Sequence, residues 1–156
     1  MDEKITLSGV PETMLQTVYA RVKESKGHGA IQDKKSDEII GKLNYDFSLA
    51  DKDAPTHSGV IARAIVLDKL VSEYLVKHPG AIVVNIACGL DTRCYRMAGF
   101  KHWYNLNMPE TIAMCEKLVP ESGNITQIAM SAMDDWGKMV EESRTPVLII
   151  IEGLTR

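Results

Sequence analysis

The sequence predicts an α/β fold in which a parallel sheet carries helices on both faces and follows a helical segment. Two features support this prediction. Short apolar runs rich in β-branched residues, of which 81–87 and 147–151 are the clearest, alternate with helical patterns in the second part of the chain. Strands that alternate with helices form right-handed βαβ units, so neighbouring strands run parallel. The first part carries helical patterns only.

A first helix is predicted from Thr13 to Ser25. Its apolar side chains recur at helical spacing, and it follows Pro11, a residue that is tolerated near a helix start. Gly27 and Gly29 then end the pattern.

A second, short helix is predicted to end at Leu43, with Ser36 as its N-cap, because a serine oxygen can accept a backbone N–H of the first turn. The polar stretch from Ser48 to Ser58 predicts a loop or a mobile flap.

A long helix is predicted from Gly59 to Lys77, where apolar residues form one wide face. It ends at the His-Pro-Gly sequence of 78–80, which cannot continue a helix. The run 81–87 lies directly before Gly89 and indicates a buried parallel strand. This is the first strand of the main domain.

From this strand onward the predicted elements alternate. They are a strand at 102–106, a helix from Pro109 to about residue 119, a strand at 125–129, a helix at 136–142 and a strand at 147–151.

Composition and charge restrict the partners. With 156 residues, 45% of them apolar and 25% charged, the chain is expected to form a globular unit with a buried core. The net charge of −3 and the lack of a Lys/Arg-rich run exclude nucleic acid and anionic membrane as the main partner. The first residues do not resemble a secretory signal, and no apolar run approaches the ~20 residues that span a bilayer, so we expect a cytoplasmic protein.

The cysteines and histidines predict no metal site. The three cysteines are odd in number and form no C-x-x-C pair, which is typical of small buried thiols in a reducing compartment. No two of the four histidines share a helical face at the spacing of zinc ligands. These residues are Cys88, Cys94 and Cys115, and His28, His57, His78 and His102.

Ligands of open parallel sheets bind outside the carboxyl ends of the strands. Ala87 and Gly89 end the first strand, and such small residues let a ligand approach the backbone, although a plain tight turn has the same sequence. A ribose-binding residue is expected ~20 positions further on, where residues 105–107 stand. The pattern G-x-G-x-x-G is incomplete because Arg93 and Cys94 follow, which favours a nucleoside ligand without a pyrophosphate over NAD.

Five segments resemble the methyltransferase family that includes leucine carboxyl methyltransferases and the O-methyltransferases of polyketide pathways. In order, they are Arg63 to Asp68, Val83 to Arg93, Trp103 to Glu110, Ser131 to Trp136 and Ile151 to Leu154. The likeness covers essentially the whole chain. Its most specific parts are Gly-Leu-Asp-Thr-Arg at 89–93 and Glu-Gly-Leu at 152–154.

The resemblance implies a Rossmann-like sheet that binds S-adenosylmethionine. It divides the chain into an N-terminal helical lid, residues 1–58, and a Rossmann-like cofactor-binding domain, residues 59–156, truncated after the fourth strand. The implied activity is methyl transfer to an oxygen of a small molecule or a carboxylate. No catalytic base is assigned, and the methyl acceptor is not identified.

The resemblance also implies roles for individual residues. Arg63 would hold the methionine carboxylate by a charge-assisted contact, unless it is a solvated arginine of the helix face. The backbone of Ala87 and Gly89 would lie under the cofactor, and Asn107 would face the ribose hydroxyls. Glu152 would lie near the methionine amino group, unless it is an ordinary carboxylate at a strand end.

Ser131 and Ala132 match the positions that flank the adenine. The family usually carries aspartate where Asn107 stands, and often where Ser131 stands. One amide oxygen accepts from two ribose hydroxyls less strongly than a carboxylate, and the loss is about 1–2 kcal/mol, or roughly tenfold in affinity.

The strand at 147–151 is a continuous apolar run of the kind that is buried on both faces. As the last strand of the truncated sheet, it would expose an unpaired apolar edge, which is a template for a second chain. We therefore expect a homo-oligomer that forms through this edge.

Two other functions remain open on the sequence. One is a truncated, non-catalytic remnant that folds, self-associates and binds the cofactor weakly or not at all. The other is a nicotinamide-dependent oxidoreductase, against which the incomplete glycine pattern and the missing acidic ribose residue count.

Overall fold

The computed structural model describes residues 4–6, 12–48, 51, 54–140 and 144–152, with only the backbone described at 12, 13 and 54–56. The chain divides into two compact units, Met1–Leu70 and Val71–Arg156. Pro11, expected before the first helix, and Glu142, expected at the end of a late helix, lie outside the described residues.

The first unit is helical. Its elements are α1 (Glu12–Lys26), α2 (Lys34–Lys42) and the beginning of α3 (Ala54–Lys77), which continues into the second unit. Helices α1 and α2 pack together, and Val18 and Ile39 are fully buried. An ion pair of 3.0 Å between the buried side chains of Arg21 and Asp33 links α1 to the start of α2.

Two predictions about the first unit were wrong. Asp33, not Ser36, caps α2, because its carboxylate accepts the backbone N–H of Ser36 at 3.0 Å and the Ser36 hydroxyl at 2.6 Å. The predicted loop 48–58 is only partly a loop, since α3 begins at Ala54 and not at Gly59. A proline at position 55 fits this start, because proline lacks only an N–H that the first helical turn leaves unpaired.

The second unit contains a four-stranded parallel sheet, which confirms the predicted Rossmann-like α/β fold. Its strands are β1 (Ala81–Ile86), β2 (Phe100–Asn107), β3 (Ile125–Ala129) and β4 (Val147–Ile151). The strand order is β3-β2-β1-β4. Strands β2 and β3 therefore lie on one side of β1, and β4 lies on its other side. This reversal of strand order creates a topological switch point at β1.

The helical elements of this unit are shorter than predicted. Helix α4 (Pro109–Cys115) ends four residues early, in a turn where the N–H groups of Leu118 and Val119 both donate to the carbonyl of Cys115. The helix expected from 136 is a short 3₁₀ segment, Trp136–Met139. Its second residue, Gly137, is a poor helix former, so little favours extending it.

The two faces of the sheet differ in chemistry. Six side chains at alternate strand positions form an apolar cluster against which the segment 130–140 packs. The members of the cluster are Ile82, Val84, Ile86, Tyr104, Leu106 and Ile128. The positions between them bring Asn85, Trp103 and Asn105 to the opposite face, where all three are buried. Polar side chains therefore lie under the loop that follows β1.

Strand β4 lies at the edge of the described sheet and pairs with β1. Its apolar run is of the kind that is usually buried on both faces, but one face of β4 is exposed here. Val147, Ile149 and Ile151 are 47%, 48% and 54% exposed, whereas Ile150 is buried. These three side chains share one face of β4, and that face is exposed because no other described strand or helix packs against it.

Among the described residues, no helix is both long and apolar enough to cross a membrane.

We predict that β4 mediates self-association of the 156-residue chain. Light scattering at micromolar concentration should give twice the monomer mass, because an exposed apolar edge strand pairs readily with a second chain. Ile149→Lys should return the monomer mass, whereas Val76→Lys, at a 79% exposed position on α3, should not. A monomer of the unchanged chain would contradict the prediction.

Candidate functional site

The carboxyl ends of the four strands place six of the seven predicted site residues at one edge of the sheet. The residues follow or end the strands in order: Ala87 and Gly89 after β1, Asn107 at the end of β2, Ser131 and Ala132 after β3, and Glu152 after β4. The strand ends are level, since Ile86 pairs with both Leu106 and Ile151. Such an edge beside a switch point is the expected ligand site of this fold.

The seventh residue, Arg63, belongs to the first unit. It lies on α3 with an exposed side chain.

The turn after β1 has a strained backbone. Ala87 has a φ of 52° and Gly89 a φ of 55°, and Ala87 is the one described residue other than glycine with a positive φ. This conformation costs an L-residue roughly 1–2 kcal/mol. The Ala87 N–H donates to the carbonyl of Leu106 at 2.7 Å, which ties the turn to β2. Strain of this kind is common where a backbone must approach a ligand.

Asn107 supports this turn from β2. Its side-chain oxygen accepts the Gly89 N–H at 2.8 Å, and its amide nitrogen donates to the Cys88 Sγ at 3.4 Å. The residue is 5% exposed. The contact with ribose hydroxyls expected of Asn107 therefore stays a prediction, and the structure adds a second role: its amide holds the turn in place.

A polar network continues below the turn. The Trp103 indole N–H donates to Asn105 Oδ1 at 2.9 Å, and the amide of Asn105 also contacts the thiols of Cys88 and Cys94 at 3.5 Å each. Burial raises the pKa of Cys94 to about 11, and burial together with the nearby Asp91 carboxylate raises that of Cys88 further still. Both thiols are therefore neutral at physiological pH and are poor nucleophiles.

Arg93 joins the turn to the end of β4. Its Nη1 lies 2.6 Å from Asp91 Oδ2 and 3.2 Å from Glu152 Oε2, and its side chain is 2% exposed. Asn85 in β1 donates to the same Asp91 oxygen at 2.8 Å. Arg93 therefore bridges a carboxylate that follows β1 and a carboxylate that follows β4.

Sequence reasoning assigned no role to Asp91 or Arg93, although both belong to the specific segment 89–93. Glu152 was expected near an amino group of the cofactor, and that role stays a prediction. In the structure, one oxygen of its carboxylate accepts a hydrogen bond from Arg93. An arginine two residues after an aspartate in a strand-end loop was the available signal.

Ser131 and Ala132 form a tight turn after β3. The Ser131 N–H donates to Asp134 Oδ2 at 2.8 Å, and the Ser131 hydroxyl accepts the N–H of Met133 at 3.2 Å. The carbonyl of Ala132 accepts the indole N–H of Trp136 at 3.2 Å. Asp134 thus supplies a carboxylate three residues after the serine that stands where the family often has aspartate.

No group of three or more histidine, cysteine, aspartate or glutamate side chains within the described ranges could hold a metal ion.

Comparison with known proteins gives one family. The family model described as leucine carboxyl methyltransferase matches residues 15–155. The tetracenomycin polyketide synthesis O-methyltransferase TcmP of Streptomyces glaucescens is 34% identical over 159 residues, which cover 99% of this chain and 58% of that protein. The S-adenosyl-L-methionine-dependent methyltransferase dpfgK of Gibberella zeae is 29% identical over 97% of this chain and 57% of that protein. The chain therefore spans somewhat more than half the length of these relatives.

We predict that Arg93→Met lowers the free energy of unfolding by about 3–5 kcal/mol, because it removes the buried guanidinium that links Asp91 to Glu152. Chemical denaturation measures the change. Lys138→Met is the matched control, since Lys138 and its partner Asp135 are 81% and 68% exposed and should contribute little. Equal stability of the two variants would show that Arg93 does not hold this edge together.

We also predict that Gly89→Ala destabilises the protein by about 1–2 kcal/mol, because alanine at this positive φ is strained. Gly137→Ala should not, since a Cβ at that position meets nothing within 4 Å. Thermal unfolding of the two variants compares them directly. If Gly89→Ala melted with the unchanged protein, the turn would not need its glycine.

Proposed function

The chain belongs to the leucine carboxyl methyltransferase family, and from this membership we propose that it binds S-adenosylmethionine at the carboxyl ends of its strands and serves O-methyl transfer to a small molecule or a carboxylate. The observation that carries the proposal is the strained turn at Ala87 and Gly89, held by Asn107 beside the switch point of the sheet. It is the feature that a bound nucleoside requires of this fold.

The residues at the strand ends fit this cofactor. Ala87 and Gly89 leave little side-chain bulk at the carboxyl end of β1, so a ligand can lie against the backbone there. The carboxylates of Asp91 and Glu152 lie at this edge of the sheet, and carboxylates attract the sulfonium and ammonium groups that this cofactor carries. When bound, S-adenosylmethionine supplies an electrophilic methyl group.

Each predicted residue has a proposed part in holding the cofactor. The backbone of Ala87 and Gly89 supports it, Asn107 faces the ribose and Glu152 lies toward the amino group. Two further contacts complete the proposal: Arg63 pairs with the carboxylate, and the turn at Ser131 and Ala132 flanks the adenine. The chain's contribution to rate is then proximity and orientation, because bound reactants do not have to meet in solution.

The relatives support the type of acceptor. TcmP is named as an O-methyltransferase of polyketide synthesis, and dpfgK as an S-adenosyl-L-methionine-dependent methyltransferase. We propose an oxygen nucleophile on this ground. A cytoplasmic location is part of the same proposal, supported by three free cysteines, which are typical of a reducing compartment.

Isothermal titration with S-adenosylhomocysteine tests cofactor binding. We expect micromolar affinity for the unchanged chain and roughly tenfold tighter binding for Asn107→Asp, because a carboxylate can keep the Gly89 N–H and still accept from a ribose hydroxyl. Asn124→Asp, at an exposed position, controls for the added charge and should leave the affinity unchanged. No heat with either the unchanged chain or Asn107→Asp would refute the proposed site and favour the non-catalytic alternative.

A further inference from the structure

The first unit contains a cavity that none of the strand-end residues lines. Its volume is about 550 Å³, within the range of roughly 300–1,000 Å³ that is usual for small-molecule sites. Its lining residues come mainly from α1 and from the beginning of α3. Ala20, Ile61 and Ile65 give it an apolar wall. A cavity of this size and lining suits one or two fused rings of a small organic molecule.

One polar atom in this cavity has no partner. His57 lines it, and its Nε2 is buried without a hydrogen bond to any residue that the structure describes. The imidazole ring lies edge-on to Tyr19, with ring centroids 6.0 Å apart. Tyr19 in turn stacks on Phe47 at 4.8 Å, so the histidine ring is supported from the side. A buried nitrogen without a partner favours a ligand that can supply one.

The described charged groups of the cavity include one ion pair and one further carboxylate, that of Glu24. The Lys23 ammonium and the Tyr19 hydroxyl both donate to Asp51 Oδ1 at 2.8 Å. The hydrogen bond from Lys23 holds the pKa of Asp51 below its usual value, so the pair stays ionised and its charges cancel. Glu24 accepts the backbone N–H of Ala30 at 3.3 Å, and His28 is exposed. Because the Lys23 ammonium is already paired with Asp51 and Glu24 adds a negative charge, the cavity disfavours an anionic ligand.

We propose that this cavity binds a neutral, flat, hydroxylated ring compound. Its hydroxyl donates a hydrogen bond to Nε2 of His57, and its ring lies against Ile61, Ile65 and Ala20. The site belongs to the first unit alone, so it does not depend on cofactor binding or on methyl transfer.

A matched pair of probes tests the proposal by ligand-detected NMR titration. 2-Naphthol carries the hydroxyl donor, and 2-methoxynaphthalene has the same rings without it. The full chain should bind 2-naphthol about five- to tenfold more tightly, which is the usual effect of one hydrogen bond. His57→Phe should remove this preference and leave the affinity for 2-methoxynaphthalene nearly unchanged.

A second variant locates the probe. Ala62→Trp places a large side chain at the cavity wall and should abolish binding of both probes, whereas Ala113→Trp, at an exposed position on α4, should not. Circular dichroism checks that each variant folds. Equal affinity for the two probes, failure of both to bind, or full binding by Ala62→Trp would each overturn the proposal. So would displacement of 2-naphthol by S-adenosylhomocysteine, since the probe would then occupy the cofactor site.

Discussion

The ion pairs of the buried Arg93 side chain hold the functional edge of the second unit together. A guanidinium that is 2% exposed must be paired with an anion. Its two carboxylates follow the first and the last described strand of the chain: Asp91 follows β1, and Glu152 follows β4. Asn85 of β1 holds the same aspartate. The path of the turn and the end of the edge strand are thus fixed relative to one another. A ligand at this edge meets a site that is set before binding, which reduces the ordering that binding would otherwise require.

The turn itself depends on groups that carry no charge. Ala87 and Gly89 adopt left-handed conformations, and the amide of Asn107 holds them through the Gly89 N–H. Beneath the turn, Asn105 contacts two thiols that burial keeps protonated. The amides of Asn105 and Asn107 are uncharged, and they accept hydrogen bonds from the Trp103 indole N–H and the Gly89 N–H. They add no charge to a region that already contains two carboxylates. The thiol of Cys88 therefore contacts Asn105 and Asn107 and is a poor nucleophile.

Most of the sheet could be predicted from the sequence, because β-branched runs such as 81–87 have few alternatives once Gly80 and Gly89 bound them. Local choices were harder. Asp33 and Ser36 are both good caps, and their mutual hydrogen bonds, not their identities, decide which one begins α2. The strand-end positions were also predictable, since parallel topology brings them to one edge. The partnership of Arg93 with Glu152 was not, because it spans 59 positions of sequence and depends on β4 lying beside β1.

The structure also explains how asparagine can stand at position 107, where the resemblance led us to expect aspartate. The Gly89 N–H needs an acceptor, and an amide oxygen supplies one as well as a carboxylate does. The amide nitrogen also donates a hydrogen bond to the Cys88 sulfur, and an ionised carboxylate has no hydrogen to donate. An aspartate at this position, which is 5% exposed, would bury a charged carboxylate, at a cost in desolvation. Asparagine therefore keeps the fold of the turn and avoids that cost.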